Sequence, residues 1–520
     1  MKEYHVIKSA SVVGSLTLLS RCFGMIRDIL IFNFLGGTSL ISSAFYLAFT
    51  LPNLFRRLFG EGALSASFIP IFIETTHQNG SKDAWDLSRR IGTLIFVILF
   101  LICVIGFLLF SIGSNINTLN DKWILTFNLS KIMFPYLIFI CLTALSMGIL
   151  NSKNHFFIPA FSPILLNIIL IGCMLIFFPN CNTNLEKVKI LSWSVIIAGA
   201  SQLFIQIPIL KAKGAKLLPL NPFNDNKVKK VLLLMAPIAL GAAVTQFNIV
   251  IDKILAMWVG NWAPAALTFS ERLIYLPLGI FATALGTVLL PTFSHQVEKS
   301  DFNKITETLQ NSLGHIFYIM IPASVGLFIL AEPIIQSIFN WNNNNNNSIE
   351  YIYRALICYA PGLVIFSVAK LIIPVFYSLK DMKTPVYVSI YVVIFNFLLN
   401  IFSIIIFPEY WKHAGLAIST VIAEGIGIYL LTKKLDKKIK LISKNILIKK
   451  LFSILWRSLL MGLFVYFLYN KLYEIFDYTE KIQQLFITFT CIISGIIFYL
   501  LLSIKQKEQK EIIKILIKND

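Results

Sequence analysis

Long apolar runs separated by short polar loops set the pattern of the chain. Runs of about 20 apolar residues, the length that crosses a hydrocarbon core, recur near residues 9–34, 43–73, 91–113, 128–150, 157–178, 189–210, 230–258, 267–292, 313–335, 353–377, 385–407, 414–432, 451–470 and 483–503. They predict an all-α integral membrane protein of about fourteen spanning helices, because backbone groups in lipid find partners only within a helix or a closed barrel. The loops alternate in charge. KAKGAK with NDNKVKK, KKLDKKIKLISKNILIKK and the tail KQKEQKEIIKILIK fall on the side of the N-terminus, whereas the loops at 35–42 and 259–266 carry no Lys or Arg. By the positive-inside rule both termini are expected in the cytoplasm.

Composition agrees with this pattern. Of 520 residues, 57% are hydrophobic and only 14% charged, and the net charge of +19 lies between apolar spans rather than on a soluble basic face. That distribution marks topology and argues against nucleic acid as a partner. Cys22, Cys103, Cys141, Cys173, Cys181, Cys358 and Cys491 show no CxxC spacing and no His neighbours, so neither a disulfide framework nor a metal site is read from them. Arg21, Arg27 and Asp28 interrupt the first apolar run, which reads as a spanning helix rather than a cleaved signal. The six-Asn run at 342–347 is assigned no function.

An internal repeat follows from two alignments. At an offset of 226, Pro135, Leu137, Leu145, Ser152 and Pro159 match Pro361, Leu363, Leu371, Ser378 and Pro385; at an offset of 221, ALSASFIPIF ending at Phe72 resembles ALGTVLLPTF ending at Phe293. Two six-helix lobes are implied, residues 1–215 and 216–440, with residues 441–520 adding two helices and a basic tail. An even number of spans per repeat makes the repeats parallel, related by a pseudo-two-fold along the membrane normal, and transporters so built place their substrate between the halves.

Charges within the spans concentrate in equivalent helices of the two halves. Arg21, Arg27 and Asp28 fall in the first, Arg56, Arg57 and Glu61 in the second, Asp252 and Lys253 in the seventh, and Glu271 with Arg272 at the start of the eighth. An intramembrane charge costs roughly 2.5–3.5 kcal/mol on insertion scales, so each needs a compensating role. Arg57 and Glu61 share a helix face and form an expected ion pair. Arg56 is rotated by about 100° from Arg57. The first two helices hold four arginines against two acids, and a surplus of guanidinium groups in a low-dielectric cavity suits an anion, phosphate above all, whose geometry the planar fork matches.

SRCFGMIRD, SSAFYLAFTLPNLFRRLFGEGALSASFIPIF, IPAFSPILLN, ERLIYLPLGIFATALGTVLLP and KDMKTPV resemble the MurJ (MviN) family, within the multidrug/oligosaccharidyl-lipid/polysaccharide exporter superfamily. The resemblance runs from residue 10 to about 432 and implies a flippase for lipid II, the undecaprenyl diphosphate-linked precursor of peptidoglycan, moving it to the outer leaflet of the bacterial cytoplasmic membrane. It implies two lobes about a cationic cavity, with the last two helices forming a groove for the lipid tail. Arg21, Arg27, Arg56 and Arg272 match the family's cavity arginines and are implied to hold the diphosphate, supported by Asp28, Asn53, Arg57, Glu61 and Glu271. Many relatives carry Asp where this chain has Ser43 and Lys where it has Thr50, so an acid and a base have gone together.

Rival functions are weaker. A membrane glycosyl- or phospho-sugar transferase needs clustered acids for Mg²⁺, and no paired Asp motif appears in these loops, so no enzyme is expected. A drug or cation antiporter of the same superfamily requires an acidic cavity; a flippase for another polyprenyl diphosphate-linked glycan is the runner-up. No cofactor is expected, with Na⁺ or membrane potential as the driving force, and Asp252, Asn396, Asn400 and Thr420 are the candidate cation ligands. Expected partners are lipid II, membrane lipids and the cell-wall synthesis machinery.

Overall fold

The computed structural model describes residues 2–58, 64–116, 118–216, 218–223, 225–341, 346–439, 444–476, 481–504 and 506. Among them every regular element is helical. Two compact units divide the chain, residues 1–265 and 266–520. In chain order the helices of the first are α1 (Lys2–Leu35), α2 (Leu40–Phe55), α3 (Leu64–Gln78), α4 (Ser81–Ser114), α5 (Asp121–Met133), α6 (Tyr136–Ser152), α7 (Phe157–Phe177), α8 (Asn184–Phe204), α9 (Ile207–Ala212) and α10 (Asn226–Val259). Helix α11 (Ala263–Pro277) leads into the second unit. There follow α12 (Thr283–Glu298), α13 (Phe302–Ile329), α14 (Ala331–Phe339), α15 (Asn346–Tyr359), α16 (Gly362–Ser378), α17 (Lys383–Ile406), α18 (Lys412–Asp436), α19 (Lys444–Ile475) and α20 (Lys481–Ser503).

Among the described residues, ten helices are long and apolar enough to cross a membrane, or twelve if the bent pairs α5/α6 and α15/α16 each count as one. The charged α1 and the short α2 and α3 lie outside this set. Over the expected span at 43–73, α2 runs to Phe55 and α3 begins at Leu64, and residues 59–63 between them lie outside the described ones. Pro52, inside α2, lacks the N–H of one ladder bond, and the polar segment from Asn53 to Arg57 follows it directly.

Local turn chemistry sets the connection from α1 to α2. Between α1 and α2, Gly36 and Gly37 adopt φ of 82° and 63°, a left-handed conformation that glycine enters without Cβ strain. The Gly37 N–H donates to Phe32 O at 2.6 Å, and the Ser39 hydroxyl caps α2 by accepting the Ser42 N–H.

Two local geometries recur along the chain. Helices α5 and α6 meet at a 44° bend by Pro135, and α15 and α16 at a 47° bend by Pro361. After α6, Asn154 takes φ 58° and the His155 N–H reaches Leu150 O at 2.9 Å. After α16, Lys380 takes φ 57° and the Asp381 N–H reaches Phe376 O at 2.9 Å. Both are left-handed helix terminations built on non-glycine residues, at matching points of the two sequences.

Lipid tails are as apolar as leucine, so helices associate here through close packing and buried polar contacts. In the first unit α1 packs on α7, α7 on α8 and α2 on α5. In the second, α17 packs on α18, α13 on α19 and α12 on α16. Gly427 shows how tight one such contact is: a Cβ there would lie 2.5 Å from Val392 of α17.

Candidate functional site

The charged residues of α1 converge with α2 and α7 in a buried network. Arg27 is 7% exposed and Asp28 fully buried. The Arg27 guanidinium donates from Nε and Nη2 to Asp28 Oδ1 at 3.0 and 2.8 Å, and from Nη1 to Asn167 Oδ1 of α7 at 2.9 Å. Asn167 in turn donates through Nδ2 to Ser20 O of α1 at 3.1 Å, and the Tyr46 hydroxyl of α2 donates to Asp28 Oδ1 at 3.4 Å. Arg27, expected as one of four equivalent cavity cations, is therefore half of a buried ion pair. A fork engaged by a carboxylate and an amide is held in one orientation. Arg21, half-buried, lies six residues before it on α1.

The second group sits at the C-terminal end of α2. Half-buried Arg56 donates from Nε to Asn53 Oδ1 at 3.3 Å, and Asn53 Nδ2 is held by Phe49 O at 3.1 Å. Arg57 is exposed, and its Nη1 donates to Gln246 Oε1 of α10 at 3.4 Å. Its expected partner Glu61 lies outside the described residues. Ser43 is fully buried and its hydroxyl accepts the Ala265 N–H of the first unit's last residue at 3.3 Å. Thr50 folds its hydroxyl onto its own helix, donating to Tyr46 O at 2.7 Å. Both hydroxyls are thus engaged, Ser43 by a residue distant in sequence and Thr50 by its own helix.

The other sequence-derived candidates are distributed between the units. In the first, Asn248 Nδ2 donates to Asp252 Oδ2 at 3.5 Å, and Lys253 is buried beside it. In the second, Glu271 Oε1 accepts from the Tyr359 hydroxyl at 3.3 Å, and Arg272 is exposed. Asn396 and Asn400 are buried on α17, and Thr420 donates to Leu416 O of its own helix α18 at 3.0 Å. Among the described residues no three His, Cys, Asp or Glu side chains gather as a metal site.

Three residues escaped the sequence reading. Asn167 was legible only as an amide inside the apolar run of IPAFSPILLN. Glu424 of α18 and Lys370 of α16 add a carboxylate and an ammonium to apolar helices; a scan for charges across every span would have found both.

KDMKTPV forms a clasp at the α16–α17 turn. Asp381 Oδ1 caps α17 by accepting the Thr384 N–H at 3.0 Å, and Oδ2 pairs with Lys438 Nζ at 2.5 Å, beyond the end of α18. Burial pushes the Asp381 carboxyl up, but the hydrogen bonds from Lys438 and Thr384 outweigh it and hold the group at about 2.

Comparison with known proteins places this geometry. The family description "Lipid II flippase MurJ" matches residues 33–487. A probable lipid II flippase MurJ of Buchnera aphidicola subsp. Acyrthosiphon pisum is 32% identical over 507 residues, covering 96% of this chain and 97% of that relative. A lipid II flippase MurJ of Burkholderia cenocepacia is 32% identical over 443 residues, 84% of each chain. Among solved structures, a lipid II flippase MurJ in an inward closed conformation matches with a TM-score of 0.77 at 25% identity, covering 94% of this chain and 97% of that one. An inward-facing multidrug resistance MATE family transporter of the MOP superfamily matches with a TM-score of 0.66 at 13% identity, over 84% of this chain and all of the other, a likeness of fold.

Proposed function

The chain belongs to the lipid II flippase MurJ family, and on that premise we propose that it carries lipid II from the cytoplasmic to the outer leaflet of the bacterial inner membrane by alternating access, in the service of peptidoglycan synthesis. The observation that carries the reading is the set of arginines on otherwise apolar helices, one of them held rigidly by Asp28 and Asn167. The lipid-linked diphosphate is an anion whose oxygens suit the planar guanidinium fork. Arg21 and Arg56 bind its oxygens, Arg27 presents the N–H groups left over from its clamp, and Arg272 joins them on the strength of the resemblance. Asp28, Asn53, Arg57, Glu61 and Glu271 hold the arginines in place. An engaged fork is pre-organised, so little side-chain entropy is lost when substrate arrives.

In this reading the protein is a transporter without catalytic chemistry. Fourteen spans form two six-helix repeats, residues 1–215 and 216–440, related by a pseudo-two-fold along the membrane normal. Residues 441–520 add a pair of helices and a basic tail, and both termini are cytoplasmic. Na⁺ or the membrane potential drives the cycle, with Asp252, Asn396, Asn400 and Thr420 as the candidate cation ligands. The cell-wall synthesis machinery consumes the product. A drug antiporter shares the fold, but a cationic drug has no use for an arginine surplus. The test compares outward movement of lipid II with that of another polyprenyl diphosphate-linked glycan in vesicles containing only this protein. Preferential movement of lipid II supports the assignment, and faster movement of the other glycan overturns it.

A further inference from the structure

The connection between α9 and α10 is strapped along the start of α4. Gly214 lies against the indole nitrogen of Trp85. Four residues further along the helix, Arg89 donates from Nε to Leu218 O at 2.6 Å, and at Thr93 the hydroxyl accepts the Leu220 N–H at 3.3 Å. The chain then returns, with Asp225 paired to Arg90 at 3.0 Å. From Trp85 to Thr93 the strap climbs eight residues of helix, about 12 Å at 1.5 Å per residue. It climbs across a boundary. Helix α4 is charged as far as Arg90 and apolar from Ile91 onward, so Leu218 and Leu220 lie at the depth where water gives way to lipid.

The connection displays apolar residues, and cations flank them in the sequence. Leu218 is 72% and Phe223 67% exposed, a cost in water that an interface would remove, since aromatic and apolar side chains partition to the headgroup boundary. Lys211, Lys213, Lys216 and Lys229 are also exposed. Neighbouring cations are already engaged: Lys227 donates to Asn79 Oδ1, and Lys230 pairs with Glu74. Lysines around an apolar tip at interfacial depth match an anionic headgroup layer, each contributing about 1 kcal/mol near such a surface. We propose that the α9–α10 connection is a preformed membrane-surface anchor, in which Leu218 and Phe223 enter the interface and the four lysines bind the phosphates of anionic lipids.

The proposal does not depend on what the protein transports, and its test uses no lipid II. Full-length protein with native cysteines replaced by alanine and Phe223→Cys carrying an environment-sensitive fluorophore is reconstituted into vesicles of phosphatidylcholine with increasing phosphatidylglycerol. The label should report an increasingly apolar setting as the anionic fraction rises. Lys→Gln at Lys211, Lys213, Lys216 and Lys229 should weaken that response by roughly fivefold per lysine, and Lys→Arg at the same positions should retain it. A label that stays in water in every mixture, or responds equally with and without anionic lipid, overturns the proposal. Should cysteine replacement unfold the protein, retention of phosphatidylglycerol by the otherwise unmodified chain and its Lys→Gln variant, read by mass spectrometry, decides instead: equal retention also overturns it.

Discussion

Replacing Arg27 by Ala should reduce the amount of folded protein, and adding Asp28→Asn should restore that amount without restoring transport. Asp28 is fully buried, with Arg27 donating two bonds to one of its oxygens. Removing one partner of a buried ion pair costs about 3–5 kcal/mol, because the remaining charge stays desolvated. Against a net stability of roughly 5–15 kcal/mol, that loss lowers abundance several-fold. Neutralising both groups removes the stranded charge, leaving lost hydrogen bonds of about 1 kcal/mol each. The assay is a cycle of wild type, both single variants and the double variant, each scored for membrane-inserted protein and for lipid II movement per inserted molecule. If Arg27→Ala and the double variant are equally abundant, the pair is not structural and the reasoning fails.

Other consequences are more local. Asp381 sits at about 2 against an ordinary value of 3.8; its clasp therefore stabilises the fold by about 1–2 kcal/mol above pH 4 and loses this as pH falls toward 2. Thermal unfolding in detergent should show that acid-side loss in wild type and not in Asp381→Asn. Asp252→Asn should slow transport in a Na⁺-dependent manner, and an unchanged rate at every Na⁺ concentration and membrane potential would remove Asp252 from the coupling scheme. Ser43→Asp or Thr50→Lys alone should impair transport more than the two together, since a lone intramembrane charge lacks its partner; equal activity of all three variants would show that the positions tolerate charge freely.

How far the sequence could be read depended on the physical range of each signal. Apolar run length depends on local composition alone, and it announced an all-helical membrane protein from residues such as 91–113 and 385–407. Proline marked its positions just as plainly, the bends at Pro135 and Pro361 recurring at the interval the sequence repeat uses. Long-range contacts left weaker traces. Nothing in SRCFGMIRD reveals that an amide from α7, 140 residues away, meets Arg27, nor that Asp28 pairs with its own neighbour. Helical spacing put Arg57 and Glu61 on one face, but it gave no sign of the contact from Arg57 to Gln246 of α10.

The most direct test of the central claim is outward movement of lipid II per membrane-inserted molecule for Arg21→Ala, Arg56→Ala and Arg272→Ala, each beside its Lys counterpart, in vesicles containing only this protein. Each Ala variant should insert at close to wild-type levels and lose most of its transport. Each Lys variant should recover part of it, keeping the charge but not the two-pronged geometry, where a charge-assisted bond contributes about 1.5–3 kcal/mol. Transport that falls only in proportion to inserted protein would contradict the assignment of these arginines to the diphosphate.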